Sequence, residues 1–289
     1  MVTPSRETSG YPVALVLISI LSVQFGGALA SLLIPRAGVW GSVALRLSIA
    51  GLIMLVISRP KLAGHGWGDA ATVMGFGLSL AVMNTAFYAS LAHLPIGVAV
   101  TVEFIGPLTL SAALSRRWAD RLAVLAAASG VVMISGIFDT SWERVEYTGL
   151  ALALLAGAAW AAYIIMSARA GQRFPGTQGL TWAMLIATAA VLPHALYVDA
   201  RMMWDQEVIC YGVGIALLSS VLPYSLELVA LRTLDTRIFG ILLCLEPAVA
   251  ALAGFLMLHE TLTAMQLVGM SVVVGAAAVV TKRSSTPTG

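Results

Sequence analysis

Ten apolar runs, each close to the length of a membrane-crossing helix, follow one another along the chain with short polar connections. They lie at 12–33, 38–58, 70–92, 95–114, 120–138, 147–167, 177–198, 209–231, 236–257 and 263–281. A helix needs about 20 apolar residues to cross the hydrocarbon layer. Inside lipid every backbone N–H and C=O must be paired within the protein, so runs of this length fold as helices. Only 10% of the residues are charged and 59% are hydrophobic, against roughly a quarter charged in a soluble domain. The pattern predicts an all-α polytopic membrane protein with ten transmembrane helices. Pro95 divides the third run from the fourth, and His259-Glu260 divides the ninth from the tenth.

The placement of charge predicts orientation. Arg and Lys concentrate in the cytoplasmic loops of membrane proteins. With the N-terminus inside, the inner segments collect Arg6, Arg59, Lys61, Arg116, Arg117, Arg121, Arg169, Arg173, Arg232, Arg237, Lys282 and Arg283. The outer segments collect only Arg36, Arg144 and Arg201, while Asp139, Glu143, Glu146, Asp199, Asp205, Glu207 and Glu260 fall outside. Ten spans then leave both termini in the cytoplasm, with short tails at 1–11 and 282–289. Ala28-Leu29-Ala30-Ser31 resembles a signal cleavage site, but the apolar run continues to Ile34. The first run is therefore expected to remain as a span. Cys210 and Cys244 are too few and too far apart for a metal motif or a disulfide framework. The pattern calls for no cofactor, no metal and no nucleic-acid partner, and no oligomeric state follows from it.

Four ionisable residues, Arg46, Glu103, Glu227 and Glu246, sit inside these apolar runs. A charge at the centre of a membrane helix costs roughly 2.5–3.5 kcal/mol. Four of them facing lipid would cost on the order of 10 kcal/mol, comparable to the net stability of a whole protein. They are therefore expected to face one another or a wet cavity, where intramembrane charges mark a translocation path. Arg46 has two readings, as a fixed counter-ion for one glutamate or as a binding group. One arginine cannot neutralise three carboxylates. The remaining acids are open to a proton or to a cationic substrate.

A slide of 140 residues partly superposes the two halves: Leu94 meets Leu234, Pro107 meets Pro247 and Asp120 meets Glu260. A slide of 137 aligns Gly75 and Gly77 with Gly212 and Gly214. A five-helix unit repeated once must enter the membrane in opposite directions. The expected organisation is thus two inverted halves, 12–138 and 147–281, with a site where they meet, as in many secondary transporters. Proline removes one helical hydrogen bond and disfavours the helical conformation of the residue before it. Breaks are therefore expected at Pro107, Pro223 and Pro247. Glu103 lies four residues before Pro107 and on its helical face, and Glu246 immediately precedes Pro247.

Other polar groups extend the candidate set for substrate binding or proton coupling. Ser220, Tyr224 and Glu227 share a helical face. Asn84, the chain's single asparagine, has Tyr88 one turn on, and Trp160 and Tyr163 lie deep in the sixth run. Trp40, Trp67, Trp118, Trp142 and Trp204 sit near span ends, as interfacial aromatics do. Each inner group has a plainer reading: Asn84 and Gln24 as interhelical glue, Trp160 and Tyr163 as core packing. Enzyme signatures are missing. His259-Glu260 is followed by Thr-Leu-Thr rather than a second histidine one turn on.

The stretch LPIGVAVTVEFIGPL (94–108) resembles the fourth helix of the drug/metabolite transporter superfamily, EamA group. LPYSLEL (222–228), LEPAVAAL (245–252) and HETLT (259–263) resemble a narrower subgroup, the bacterial inner-membrane threonine/homoserine exporters. VQFGGA (23–28), ALRL (44–47) and MNTAFY (83–88) extend the match, while His259 stands where glycine is usual. The resemblance implies ten helices in inverted halves and proton-driven export of small hydrophilic amino acids across the cytoplasmic membrane. A zwitterion would place its ammonium on Glu246 or Glu103 and its carboxylate on Arg46, with Asn84 or Tyr224 reading a side-chain hydroxyl. The alternatives are export of other small metabolites or toxic amphiphiles by the same fold, and a membrane-embedded enzyme using the buried acids.

Overall fold

The computed structural model describes residues 10–61, 66–94, 96–115, 118–135, 146–198, 204–258 and 262–284. Helices α1 to α11 span Gly10–Ser58, Trp67–Ser90, Ile96–Leu114, Trp118–Ile134, Tyr147–Arg173, Gln178–Val198, Gln206–Ala216, Leu222–Ala230, Thr236–Leu243, Glu246–Leu258 and Ala264–Ser284. Among the described residues there is no strand. Six segments are long and apolar enough to cross a membrane: Gly10–Gly27, Pro35–Ser58, Trp67–Ser90, Tyr147–Arg173, Gln178–Val198 and Gln206–Ala230. Val98–Leu114 and Ala264–Val279 are shorter apolar helices. The chain is a polytopic, all-helical membrane protein. Large apolar side chains such as Leu52, Val56, Leu122 and Leu125 face outward, as lipid contact requires. Trp67, Trp118 and Trp204 are exposed at helix ends, whereas Trp40 meets the His194 ring edge-on at 4.4 Å. The expected helix division at His259-Glu260 and the position of Trp142 lie outside the described residues.

The structure departs from the sequence expectation near Gly38 and at Pro107, and it interrupts two further runs just before Pro223 and Pro247, each with a local cause. The connection expected between 33 and 38 is absorbed into α1, whose backbone is non-helical at Gly38 (φ 67°, ψ 172°). A positive φ of this kind is open to glycine and strained for other residues. The run at 209–231 is divided into α7, a π-helical turn at Leu217–Val221, and α8. The N–H of Leu222 bonds the carbonyl of Leu217, five residues back. In that register the carbonyl of Leu218 would await residue 223, and Pro223 has no N–H to give. Ser22 of α1 fills the vacancy, its Oγ donating to the Leu218 carbonyl at 2.6 Å.

The run at 236–257 breaks at Cys244–Leu245, between α9 and α10. Pro247 is the second residue of α10, where a missing N–H loses no helical bond. Pro107 behaves otherwise. The expected break there is corrected, since α3 runs uninterrupted from Ile96 to Leu114. The carbonyl that Pro107 frees is that of Glu103, and it lies against α5: an ideal Cβ on Gly157 would stand 2.5 Å from it. On the same crossing a Cβ on Gly106 would collide with the Gly157 carbonyl. Two glycines let the backbones touch, and the freed carbonyl is covered by the neighbouring helix rather than by a broken one.

Similar small-residue contacts join the other helices. Ser19, Ser22 and Gly26 share one face of α1. Ser19 reaches Glu227, Ser22 reaches Leu218, and a Cβ on Gly26 would collide with Ser219. α4 crosses α11 at Gly130 and Gly269, where a Cβ on either would lie 2.8 Å from the other's carbonyl oxygen. Ser22→Ala is expected to lower stability by about 0.6 kcal/mol, the average for an interhelical hydrogen bond in a membrane. A thermal scan of purified protein in detergent would measure it, and an unchanged midpoint would count against the role given to Ser22.

One turn occurs twice. After α2, the N–H groups of His93 and Leu94 both bond the Ser90 carbonyl, at 3.0 and 2.9 Å. After α8, those of Thr233 and Leu234 both bond the Ala230 carbonyl, at 3.1 and 2.8 Å.

Candidate functional site

Glu227 projects from α8 into the interior and is 4% exposed. Both of its carboxylate oxygens are occupied. Ser19 Oγ donates to Oε1 at 2.5 Å, and Tyr163 Oη donates to Oε2 at 2.6 Å. Both lengths lie within the range of O–H···O hydrogen bonds, roughly 2.5–3.0 Å. Tyr163 is held in turn by two rings, Phe76 and Tyr224, each with its centroid 5.5 Å away. α1, α5 and α8 therefore meet at one carboxylate.

Arg46, on the second part of α1, is buried with its guanidinium among polar and aromatic groups. Its Nη2 donates to Asn84 Oδ1, and its Cζ lies 6.0 Å from the centroid of the Tyr88 ring. Asn84 Nδ2 donates to the Leu80 carbonyl at 2.7 Å, which fixes the amide. Arg46 Nε is buried and has no hydrogen-bond partner. Among the described residues no carboxylate pairs with Arg46. Its reading as a fixed counter-ion for a glutamate is thereby set aside. Tyr224, one turn before Glu227 on α8, is buried with its ring 5.5 Å from that of Tyr163.

The other two acids lie on α3 and α10. Glu246 is half-buried in the first turn of α10, where the helix N-terminus favours negative charge. Its electrostatic neighbours are Glu227 and Glu103, and it also acts on Tyr163. Glu103 is 8% exposed, and no described residue donates to its carboxylate. Next to it Phe104 meets Trp160 edge-on, with centroids 4.8 Å apart. Trp160 touches this wall through Phe104, and Ser220, in the π-helical turn, is fully buried with an unpartnered hydroxyl. The structure thus brings Arg46, Asn84, Tyr88, Tyr224, Glu227, Glu246 and Glu103 into one connected region. Pro223 and Pro247 are buried beside it, and Pro107 sits one turn past Glu103.

Sequence reading did not assign Ser19 and left Tyr163 between packing and function. The available signal was the spacing of Ser19, Ser22 and Gly26, a stripe of small residues on one face of the first run.

A buried cation and three inward acids, two of them on helices that follow the π-helical turn and the break at Cys244, belong to a polytopic membrane transport protein. The EamA-like transporter family model matches residues 147–282. The chain is 38% identical over 266 residues to the threonine/homoserine exporter RhtA of Escherichia coli (strain K12), spanning 92% of this chain and 89% of that protein. It is 37% identical over 265 residues to RhtA of Salmonella typhimurium (strain LT2), with the same coverage. An uncharacterized transporter of Archaeoglobus fulgidus is 22% identical over 197 residues, 66% of this chain and 71% of that protein. In three dimensions the fold matches a protein of known crystal structure with a TM-score of 0.77 at 19% identity, covering 94% of this chain and 99% of that one. The chain belongs to the EamA-like transporter family, and within it to the RhtA-type exporters.

Proposed function

We propose that this protein exports small hydrophilic amino acids of the threonine and homoserine type across the bacterial cytoplasmic membrane, by proton antiport and alternating access. The observation that carries this reading is Arg46, a buried guanidinium with a free Nε and no carboxylate partner among the described residues, in the same region as three glutamates. An amino-acid zwitterion supplies the two charges this arrangement lacks. Its carboxylate suits the guanidinium fork, and its ammonium suits a glutamate. Asn84, which accepts from Arg46, and Tyr224, one turn before Glu227, are the partners for a side-chain hydroxyl in this reading. The named substrates of the RhtA relatives agree with this chemistry.

The proposed architecture is ten spans in two inverted halves, 12–138 and 147–281. α1 counts as two spans across Gly38, while α7 with α8, and α9 with α10, count as one each. The turns at Ser90–Leu94 and Ala230–Leu234, 140 residues apart, support the repeat. So does the reciprocal contact of Gly130 with Gly269. Both termini are placed in the cytoplasm by the distribution of Arg and Lys. Arg173 with Asp69 (3.2 Å) and Arg237 with Asp120 (2.5 Å) tie the halves together at the proposed inner end. At the proposed outer end Arg36 pairs with Glu207 (3.2 Å) and His93 with Glu146 (2.7 Å).

Proton coupling rests on Glu103 and Glu246, the acids without hydroxyl donors among the described residues. The test is movement of radiolabelled threonine and homoserine in proteoliposomes, with and without an imposed pH gradient. Wild-type transport is expected to accelerate with the gradient. In Glu103→Gln and Glu246→Gln the gradient effect is expected to vanish while substrate exchange without a gradient persists. Gradient-driven transport that survives both changes removes proton antiport through these residues. Absence of movement of either amino acid in the wild type removes the substrate assignment.

A further inference from the structure

We infer that Glu227, oriented by Ser19 and Tyr163, is the receptor for the substrate's ammonium group, so that Ser19 and Tyr163 are positioning residues for export. The inference rests on the proposed amino-acid substrate. In an α-amino acid the ammonium and the carboxylate sit on the same carbon, so their two partners must be near neighbours. Among the described contacts, Glu227 is the glutamate hydrogen-bonded to α1, the helix that also carries Arg46. Tyr224 lies one turn before Glu227 on α8, and its ring packs 5.5 Å from that of Tyr163. Glu246 and Glu103 make no hydrogen bond to α1 among the described residues.

The two hydroxyls give Glu227 what a recognition group needs. A free glutamate side chain has several rotamers, and fixing one of them in advance reduces the entropy lost on binding. Ser19 and Tyr163 take one oxygen each, from opposite halves of the chain, so the plane of the carboxylate is set. Both donors are themselves immobile, at 0% and 1% exposure, and Tyr163 is packed against Phe76 and Tyr224. Each carboxylate oxygen has a further lone pair for an ammonium N–H. The donors are neutral, so they orient the carboxylate without cancelling the charge that attracts the ammonium.

The test compares Tyr163→Phe and Ser19→Ala with wild type by threonine transport kinetics in proteoliposomes and by thermal midpoint in detergent. A positioning role predicts a KM for threonine raised about tenfold in each variant, as for loss of a hydrogen bond to a charged group. The maximal rate should stay within about twofold and the thermal midpoint should hold. A second readout is specific to the ammonium. 3-Hydroxybutyrate keeps the carboxylate and hydroxyl of threonine and has hydrogen in place of its ammonium, so its inhibition constant should be the same in wild type and variants. Unchanged KM in both variants overturns the inference, as does an equal loss of affinity for threonine and the deaminated analogue. If wild-type protein moves neither threonine nor homoserine, the substrate reading itself has failed, which the wild-type lane reveals before any variant is compared.

Discussion

Arg46→Ala is expected to abolish measurable export of threonine and homoserine at substrate concentrations that half-saturate the wild type. Among the described residues of the candidate site Arg46 is the one cationic side chain, and its Nε has no hydrogen-bond partner. Truncating one member of a buried, hydrogen-bonded charge pair costs about 2–5 kcal/mol of binding. At about 1.4 kcal/mol per factor of ten, this is a loss of affinity of roughly thirty- to several-thousand-fold. Arg46→Lys should fall between the two, because an ammonium retains the charge but not the planar fork that grips a carboxylate. Asn84 also loses its charged partner in these variants, so thermal midpoints should be recorded alongside the kinetics. An Arg46→Ala protein that transports threonine with the wild-type KM would remove the guanidinium from substrate recognition.

Gly157→Val is expected to prevent assembly of the helical bundle. Its side chain would enter the space of the Glu103 carbonyl, 2.5 Å from the ideal Cβ position, and of the Glu103 backbone beside it. A flexible side chain could move aside, but a helix backbone cannot without shifting α3 bodily. Overpacking in a well-packed interior typically costs 1–3 kcal/mol, and a backbone clash belongs at or above the top of that range. Loss of monodisperse protein on size exclusion in detergent, or a steep fall in thermal midpoint, would report it. Gly275→Ala is the matched control, since nothing lies within 4 Å of its Cβ position and it too is helical. It should be neutral or slightly stabilising. A Gly157→Val protein as stable as wild type would mean that α3 and α5 do not cross at this point.

The site was partly visible in the sequence, for a simple energetic reason. Charges are so rare within apolar runs of this length that Arg46, Glu103, Glu227 and Glu246 identified themselves. The charges that hold nothing in a soluble loop could not have been singled out in the same way. Ser19 and Tyr163 were harder, because serine and tyrosine are unremarkable in membrane helices. Only their placement on Glu227 separates them from Ser48 or Tyr11. The prolines show a second limit. Pro107 and Pro247 coincide under one slide of the chain, yet only Pro247 stands at a helix start. The difference comes from the neighbour: Gly157 covers the carbonyl that Pro107 frees, and no rule about proline alone contains that contact.

By itself the sequence determined the membrane-embedded, all-helical class of the chain and the charged residues that need company inside it. It also carried the resemblance to amino-acid exporters. These follow from local quantities, the length of an apolar run and the energy of a charge in it. The tertiary structure alone decided which partners those charges take: Asn84 and Tyr88 for Arg46, Ser19 and Tyr163 for Glu227, and no described donor for Glu103. Partners 38, 64 and 208 residues apart are chosen by how helices cross. Here the crossings are set by glycines and serines whose small size means nothing until another helix lies against them.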